Sequence, residues 1–340
     1  MKVKSKDIAK KLGLSPATVS LVLNNKPGIS PETRDRVFSL LQEYGYEQPK
    51  APQLTPASNK TLQFVIYQKH GLVVSDTPFF STLTEAINRE ARASGYSLTI
   101  TYIDEQKDDI EAILSDMVQN SPSGLLILAT EMFAEDIGPF QRLGIPLLLL
   151  DSQFDHVDID TVCINNADGV YKAMDYFYHL GYSNIGYLRS SIRIYNFDQR
   201  FTRFRAYAAD RKVRIEESNI FPLESTTEGA YQDMKRLLKE RRDTPDALFA
   251  DNDIIASGAI RALKEFGLSI PEDVSIIGFD DMPFCEMLEP SLTTIRVFKQ
   301  EMGTTAVRRL IDVIENPQSK PQKIYISTEL VPRRSTREYA

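Results

Sequence analysis

The 340-residue chain is poor in the residues that several kinds of chemistry require. Its two cysteines, Cys163 and Cys285, stand far apart and in no CxxC pattern. They exclude a disulfide scaffold and read as buried thiols in a reducing compartment, with neither metal nor redox duty. There is no tryptophan, and none of the three histidines (His70, His156, His179) sits beside a nucleophile. GxGxxG after the first strand, GxxxxGK[ST], HExxH and GxSxG are all missing, so an α/β enzyme has little support and no cofactor or metal is called for. Long hydrophobic runs are missing too. "GLLILAT" and "IPLLLLD" are short and bounded by Gly or Pro, which suits buried parallel strands and excludes a membrane partner. The opening "MKVKSKD" has no apolar signal core. A cytoplasmic protein is expected, which argues against an exported solute-binding protein.

What is present is an ordinary globular composition, 42% hydrophobic and 26% charged, in a chain long enough for two or three domains. The net charge of −7 argues against a nucleic-acid partner until its distribution is considered. Residues 1–60 hold ten basic and five acidic side chains, so this segment carries +5 and the remainder −12. A basic head on an acidic body is expected when only the head meets a polyanion.

The head carries "DIAKKLGLSPATVSLVLN", a helical pattern interrupted at Gly13–Pro16. A first helix from about Ser5 to Leu12 places Ile8, Ala9 and Leu12 on one face. Ser15 offers an N-cap and Pro16 a first helical position for a second helix with Val19, Val22 and Leu23 inward. "GISPETRDRVFSLLQEYG" repeats the Ser-Pro start, with Val37, Leu40, Leu41 and Tyr44 as its stripe. Two helices joined by a tight Gly-containing turn make a helix-turn-helix, whose second helix enters the major groove. Ala9 must be small where that helix crosses. Pro16, Ala17, Ser20 and Leu21 are then directed at base edges. Thr18, Ser20, Asn24 and Asn25 are candidates for phosphate contacts by hydrogen bonding, as are Lys6, Lys26, Arg34 and Arg36 by charge, and Ser15 is counted with the DNA-binding residues.

Residues 47–60 hold Pro49, Pro52 and Pro56 and read as a linker. From Thr61 onward the pattern becomes βαβ. Strands are expected at Leu62–Tyr67, Leu98–Ile103, Gly124–Ala129, Pro146–Leu150, Val162–Asn165, Ile185–Leu188, Ala247–Ala250 and Val274–Gly278. Helices are expected at Phe80–Ala93, Asp168–Leu180, Tyr231–Arg241 and Ile254–Phe266. That is too much for one small sheet and predicts two doubly wound lobes.

"DIAKKLGLSPATVSLVLNNKPGISPETRDRVFSLLQEYGY" resembles the DNA-binding head of the LacI/GalR family of bacterial transcription regulators. "DTPFFSTLTEAINREARASGYSL" is similar to the first helix of that family's core. "FADNDIIASGAIRALKEFGLSIPEDVSIIGFDDMPFCEMLEPSLTTI" is similar to its most distinctive C-terminal block. The resemblance implies an α/β chain with an all-α helix-turn-helix head (1–46), a linker or hinge (47–60) and a core (61–340) like periplasmic sugar-binding proteins. The N-lobe is expected at about 61–162 and 296–325, the C-lobe at about 163–295 and 326–335. The resemblance also implies a repressor of carbohydrate-utilisation genes, a homodimer on a near-palindromic DNA operator, controlled by a sugar or sugar derivative. No heptad run follows Arg334 to add a tetramerising coil.

The chain departs from the family's pattern in four places. Leu21 stands where most members carry Arg and cannot chelate guanine. The usual hinge helix is replaced by the proline-studded segment, in which Leu54 is the one candidate minor-groove wedge. Arg203 falls where the family has Gly, and Asn165 where many members have Asp.

Ligands of doubly wound sheets bind beyond the carboxyl ends of strands. Those loops offer Asp76–Phe80, a long loop holding Arg200, then Asp251–Asp253 and Phe279–Asp281. An aromatic platform with an Arg and an Asp suits a sugar. By resemblance Phe79, Arg200 and Asp253 contact the effector, Phe80 completes the aromatic pair, and Asp280 holds the crevice loop. The alternatives are core packing for the two phenylalanines and a helix N-cap for Asp253. Arg200, Arg203 and Arg205 together would instead suit an anionic ligand.

Overall fold

A computed structural model describes residues 9, 11–15, 18, 19, 22, 33, 36, 37, 40, 60–74, 78–240 and 243–337. Contacts divide the chain into two units, 1–59 and 60–340.

In the first unit, Ala9, Val19, Val22 and Val37 are buried together, with Leu12, Leu14 and Leu40 packed on them. All four buried positions are helical. Between the first two helical segments Gly13 takes φ +66°, a conformation that costs other residues their Cβ clearance. The Leu14 N–H donates to the Ala9 carbonyl at 2.9 Å, closing the first helix. Ser15 opens the second: its Oγ accepts from the Thr18 N–H at 3.0 Å, an N-cap bond.

The second unit is built from two six-stranded sheets. The first runs β11(Lys323–Ile326)–β5(Asp160–Ile164)–β4(Leu147–Leu150)–β3(Gly124–Leu128)–β1(Thr61–Gln68)–β2(Ser97–Asp104), parallel throughout. The second runs β12(Thr328–Val331)–β10(Thr293–Val297)–β9(Ser275–Asp280)–β8(Ala247–Ala250)–β6(Ile185–Ser190)–β7(Ile220–Leu223), with only the β10–β12 pair antiparallel. The central strands are apolar on both faces because both faces are covered. Leu62, Phe64, Ile66, Leu126, Leu128, Leu148 and Leu150 enter one core, while their neighbours Val65, Tyr67, Leu125, Ile127 and Leu149 enter another. Helices α1(Pro78–Ala93) and α8(Lys299–Glu315) pack together on the first face. The opposite face is covered by α2(Ile110–Asn120) and the short α3(Gly138–Gln141). On the second sheet α4(Asn166–His179) pairs with α5(Tyr195–Arg211), and α6(Thr227–Lys239) with α7(Asp253–Glu265).

The chain passes between lobes three times: at Asn165 after β5, at Phe298 between β10 and α8, and at Ser327 between β11 and β12. Each passage comes one to three residues later than the expected lobe boundaries, because β5, β10 and β11 complete their ladders before crossing. Both cysteines are buried, and burial pushes the Cys163 thiol up to about 12. Among the described residues no helix is long and apolar enough to cross a membrane, and no cluster of His, Cys, Asp and Glu is grouped to hold a metal.

Candidate effector cleft and nucleic-acid interface

Of the residues expected on DNA, the structure describes Ser15, Thr18 and Arg36, and Arg36 is helical and exposed. The Ser15 and Thr18 hydroxyls lie 2.8 Å apart in the cap that begins the second helix, so Thr18 is engaged within the turn. Lys6, Pro16, Ala17, Ser20, Leu21, Asn24, Asn25, Lys26, Arg34 and Leu54 lie outside the described residues.

In the second unit the carboxyl ends of both sheets face one cleft. It is lined from the N-lobe by Leu72, Val73, Phe79, Phe80, Thr130 and Asp151, and from the C-lobe by Ile194, Asn196, Phe197, Arg200, Asn252 and Asp280 among others. Its cavity volume is about 40 Å³, room for about three waters. Phe79 and Phe80 meet edge to face at 5.0 Å. Phe79 both packs in the core and lines the cleft, so its two readings hold together.

Arg200 is the centre of the cleft and is 2% exposed. The sequence reading placed it in a long loop; instead α5 begins at Tyr195 and the loop before it is short. Helical spacing therefore sets Asn196, Phe197 and Arg200 on one face, turned inward. The Arg200 guanidinium lies over Phe279 at 3.6 Å from the ring centroid and 3.5 Å from the Asp280 carboxylate. It also donates to the Asp251 carbonyl. Its Nε donates to Asn166 Oδ1 at 2.9 Å, and Asn166 Nδ2 donates to Asn196 Oδ1 at 2.7 Å. Asn196 Nδ2 donates to the Asp151 carbonyl and to its Oδ1, both at 3.0 Å. Thr130 Oγ1 closes the chain with a 2.7 Å bond to Asp151 Oδ2. This network crosses from C-lobe to N-lobe and ties their relative position to groups that line the cleft.

Burial dominates the electrostatics. It pushes the Asp151 carboxyl up to about 6, with the bonds from Thr130 and Asn196 and the nearby Arg200 opposing it. Asp251 is raised to about 7 by burial against the Tyr187 hydroxyl, the Ser190 N–H and Arg200. Asp280 is raised by burial, with Arg200 and Lys299 pulling the other way. It sits at φ +111° at the end of β9, and Lys299 donates to its carbonyl.

Two expectations need correction. Asp253 does not line the cleft. Its Oδ2 accepts from the Met282 N–H at 2.9 Å and its Oδ1 from the Thr294 hydroxyl at 2.5 Å. It is fully buried, and burial followed by the negative Asp280 raises it to about 7. The N-cap of α7 is Asn252, so Asp253 is the first helical residue, rotated toward β10. Arg203 and Arg205 do not join Arg200 either. Helical periodicity turns both outward, and Arg205 pairs with Glu217. Among the described residues lining the cleft, Arg200 is the one cation, and it is buried.

Sequence reasoning missed Thr130, Asp151, Asn166, Asn196 and Phe197. Asp151 follows "IPLLLL" as the first residue past β4, the same signal that singled out Asp280. Asn196 and Phe197 precede Arg200 by four and three positions, a signal available once the segment is read as helix.

Residues 5–48 match the model of bacterial regulatory proteins of the lacI family, and residues 174–336 that of the periplasmic binding protein-like domain. The HTH-type transcriptional repressor PurR of Mannheimia succiniciproducens is 30% identical over 338 residues, covering 98% of this chain and 99% of that one. A regulator–cellobiose complex, CelR, superposes with a TM-score of 0.73 at 22% identity, over 98% of this chain and all of that one. A LacI family regulator from Enterococcus faecium with bound ribose gives 0.69 at 27%, over 82% and 98%. These matches make the chain a DNA-binding regulator with an effector-binding core, not an enzyme. The chain belongs to the lacI family of bacterial regulatory proteins.

Proposed function

We propose that this protein is a cytoplasmic repressor that, as a homodimer on a near-palindromic operator, takes a neutral carbohydrate ring between its lobes. Arg200 carries the reading: a nearly fully buried guanidinium facing Asp280, with the rings of Phe79, Phe80 and Phe197 around the same cavity. Charged groups of this kind take vicinal hydroxyls, while aromatic edges and faces take the C–H side of a sugar ring. With room for about three waters the cavity holds no sugar ring as it stands, so the lobes must part to admit a ligand. Ribose in the Enterococcus faecium complex favours the same ligand class.

The dimer reading rests on β2, an eight-residue edge strand on which Ile100 and Tyr102 are 39% and 63% exposed. They border a groove shared with Phe80, Thr84 and Leu98. An apolar strand edge of this length is ordinarily covered. Closure of the lobes through the Asp151–Asn196 bonds would then alter the spacing of two heads that must reach grooves about 34–36 Å apart.

The test is a thermal-unfolding screen of the full chain with pentoses, hexoses, disaccharides, sugar phosphates and nucleobases. A ligand at a hundred times its Kd adds about 2.7 kcal/mol. A raised midpoint with a monosaccharide, lost in Arg200→Met, supports the reading. A response confined to sugar phosphates or to nucleobases replaces the ligand class.

A further inference from the structure

Thr130 and Glu131 follow β3 in succession and serve opposite sides: Thr130 faces the cleft, and Glu131 faces the segment between β1 and α1. Glu131 is buried, 1% exposed, and no catalytic or DNA-binding role claims it. Its Oε2 accepts from the backbone N–H groups of Lys69, His70 and Gly71 at 2.9, 3.0 and 2.8 Å. Its Oε1 accepts from those of Val73 and Val74 at 2.8 and 3.0 Å. Five amide donors on one carboxylate leave the side chain saturated and wrap residues 69–74 around it. Residues 69–74 form no strand, and Glu131 takes up amide donors that a ladder would otherwise satisfy. Its outer wall is the cleft, because Leu72 and Val73 line the cavity opposite Arg200. Lys69 pins the base of the segment through Asp136 and Glu105, and His70 Nδ1 accepts from the Leu72 N–H at 3.2 Å.

We propose that Glu131 is a positioning residue for effector recognition: by gathering the amides of residues 69–74 it sets where Leu72 and Val73 stand, and so the size of ligand the cleft admits. Burial alone would raise this carboxyl, but the His70 ring, whose Nδ1 lies 3.2 Å from Oε2, and the amides of His70, Val74 and Val73 outweigh it and hold it at about 2. The segment therefore keeps its ionised anchor across the working pH range. The proposal concerns the same cleft as the proposed function but stands on the anchor and not on the ligand's class.

The variant is Glu131→Gln in the full chain, which keeps the volume and turns an NH2 group toward two or three of the five donors. Amide hydrogen exchange is followed at residues 69–74 and, as an internal control, in β8. At least tenfold faster exchange at 69–74 with β8 unchanged is expected. In parallel, the unfolding-midpoint shifts produced by D-ribose and by D-glucose are compared with wild type. The ratio of the two shifts is expected to move toward the larger sugar as the wall loosens, a change that general destabilisation does not produce. Unchanged exchange at 69–74 overturns the proposal. So does faster exchange with the same ratio of shifts, because the segment would then have no say in ligand size. If neither sugar shifts wild type, the carbohydrate reading fails on its own, and the exchange data decide the anchor.

Discussion

Gly169→Ala probes how tightly the cleft is tied to the packing behind it. Gly169 lies in the first turn of α4, and a Cβ there would come within 2.7 and 2.8 Å of Phe279 Cε2 and Cζ and 3.0 Å of an Ile295 methyl. Real Cβ atoms do not approach so closely, so the Phe279 ring must move. That same ring carries the Arg200 guanidinium 3.6 Å from its centroid. Replacing a helical Gly by Ala gains about 1 kcal/mol, while overpacking a filled core costs about 1–3 kcal/mol. The net expectation is a loss of about 1 kcal/mol, or a midpoint lower by about 2–4 °C. A larger effect is expected on effector affinity. A hydrogen bond to a charged group is worth about 1.5–3 kcal/mol, so an Arg200 carried off its alignment weakens binding roughly ten- to hundredfold. Calorimetric titration with the compound that stabilises wild type, beside a thermal scan, measures both. An unchanged midpoint and affinity would refute the close approach; a lowered midpoint with unchanged affinity would show that Phe279 does not hold Arg200 in place for ligand.

Arg200→Met removes the cation between Asp280 and Asp251 and is expected to abolish the effector response while lowering the midpoint, since breaking a buried pair costs about 3–5 kcal/mol; a retained response would move the ligand elsewhere. Asp253→Asn is expected to lower stability through the Met282 and Thr294 bonds but to leave ligand affinity within a few-fold, because the side chain is off the cleft. The carboxyls of Asp151, Asp251 and Asp253, raised to about 6, 7 and 7, keep protons in the folded core that the unfolded chain has released near pH 4. Stability is therefore expected to fall as pH rises from 5 to 7 and then level off; a midpoint that climbs over that range contradicts the burial argument. Ser15→Ala removes the cap on the Thr18 N–H and is expected to cost the head about 1 kcal/mol, seen as weaker binding to all DNA with an unaltered core transition. For Lys6→Ala or Arg34→Ala, the slope of log K against log[salt] is expected to flatten by about one unit per lost phosphate contact; an unchanged slope removes that residue from the interface.

The readable parts of this fold were those where local and tertiary preferences agree. Strands such as β3 and β4 are buried on both faces and so appear as unbroken apolar runs. The broken helix at Gly13 announces its turn through Gly, Ser and Pro. Strands β7, β10, β11 and β12 were not legible. They are four or five residues long, β11 has no buried residue, and β7, β11 and β12 pair with segments more than 30 residues away in the chain. Helix α5 was hidden by its polarity: Asn196, Asp198, Gln199, Arg200, Arg203 and Arg205 interrupt the apolar stripe of Phe197, Phe201, Phe204, Tyr207 and Ala208. The same limit explains Asp253. Three consecutive polar residues follow β8, and which of them faces the cleft depends on the rotation of α7 about its axis, a tertiary quantity. Arg200 was found for the same reason that its neighbours were missed, since its motif travels with the family while Asn196 and Asp151 are recognisable only from the network they complete.

The most direct test of the whole account is operator affinity measured with and without ligand. DNA selected from a random library by the full-length protein is titrated by fluorescence anisotropy, in the presence and absence of the monosaccharide that most raises the unfolding midpoint. The account predicts an enriched near-palindrome and at least a tenfold change in its affinity on adding that compound, abolished by Arg200→Met. A compound that stabilises the core while leaving DNA affinity unchanged would contradict it, because cleft and head would then be uncoupled.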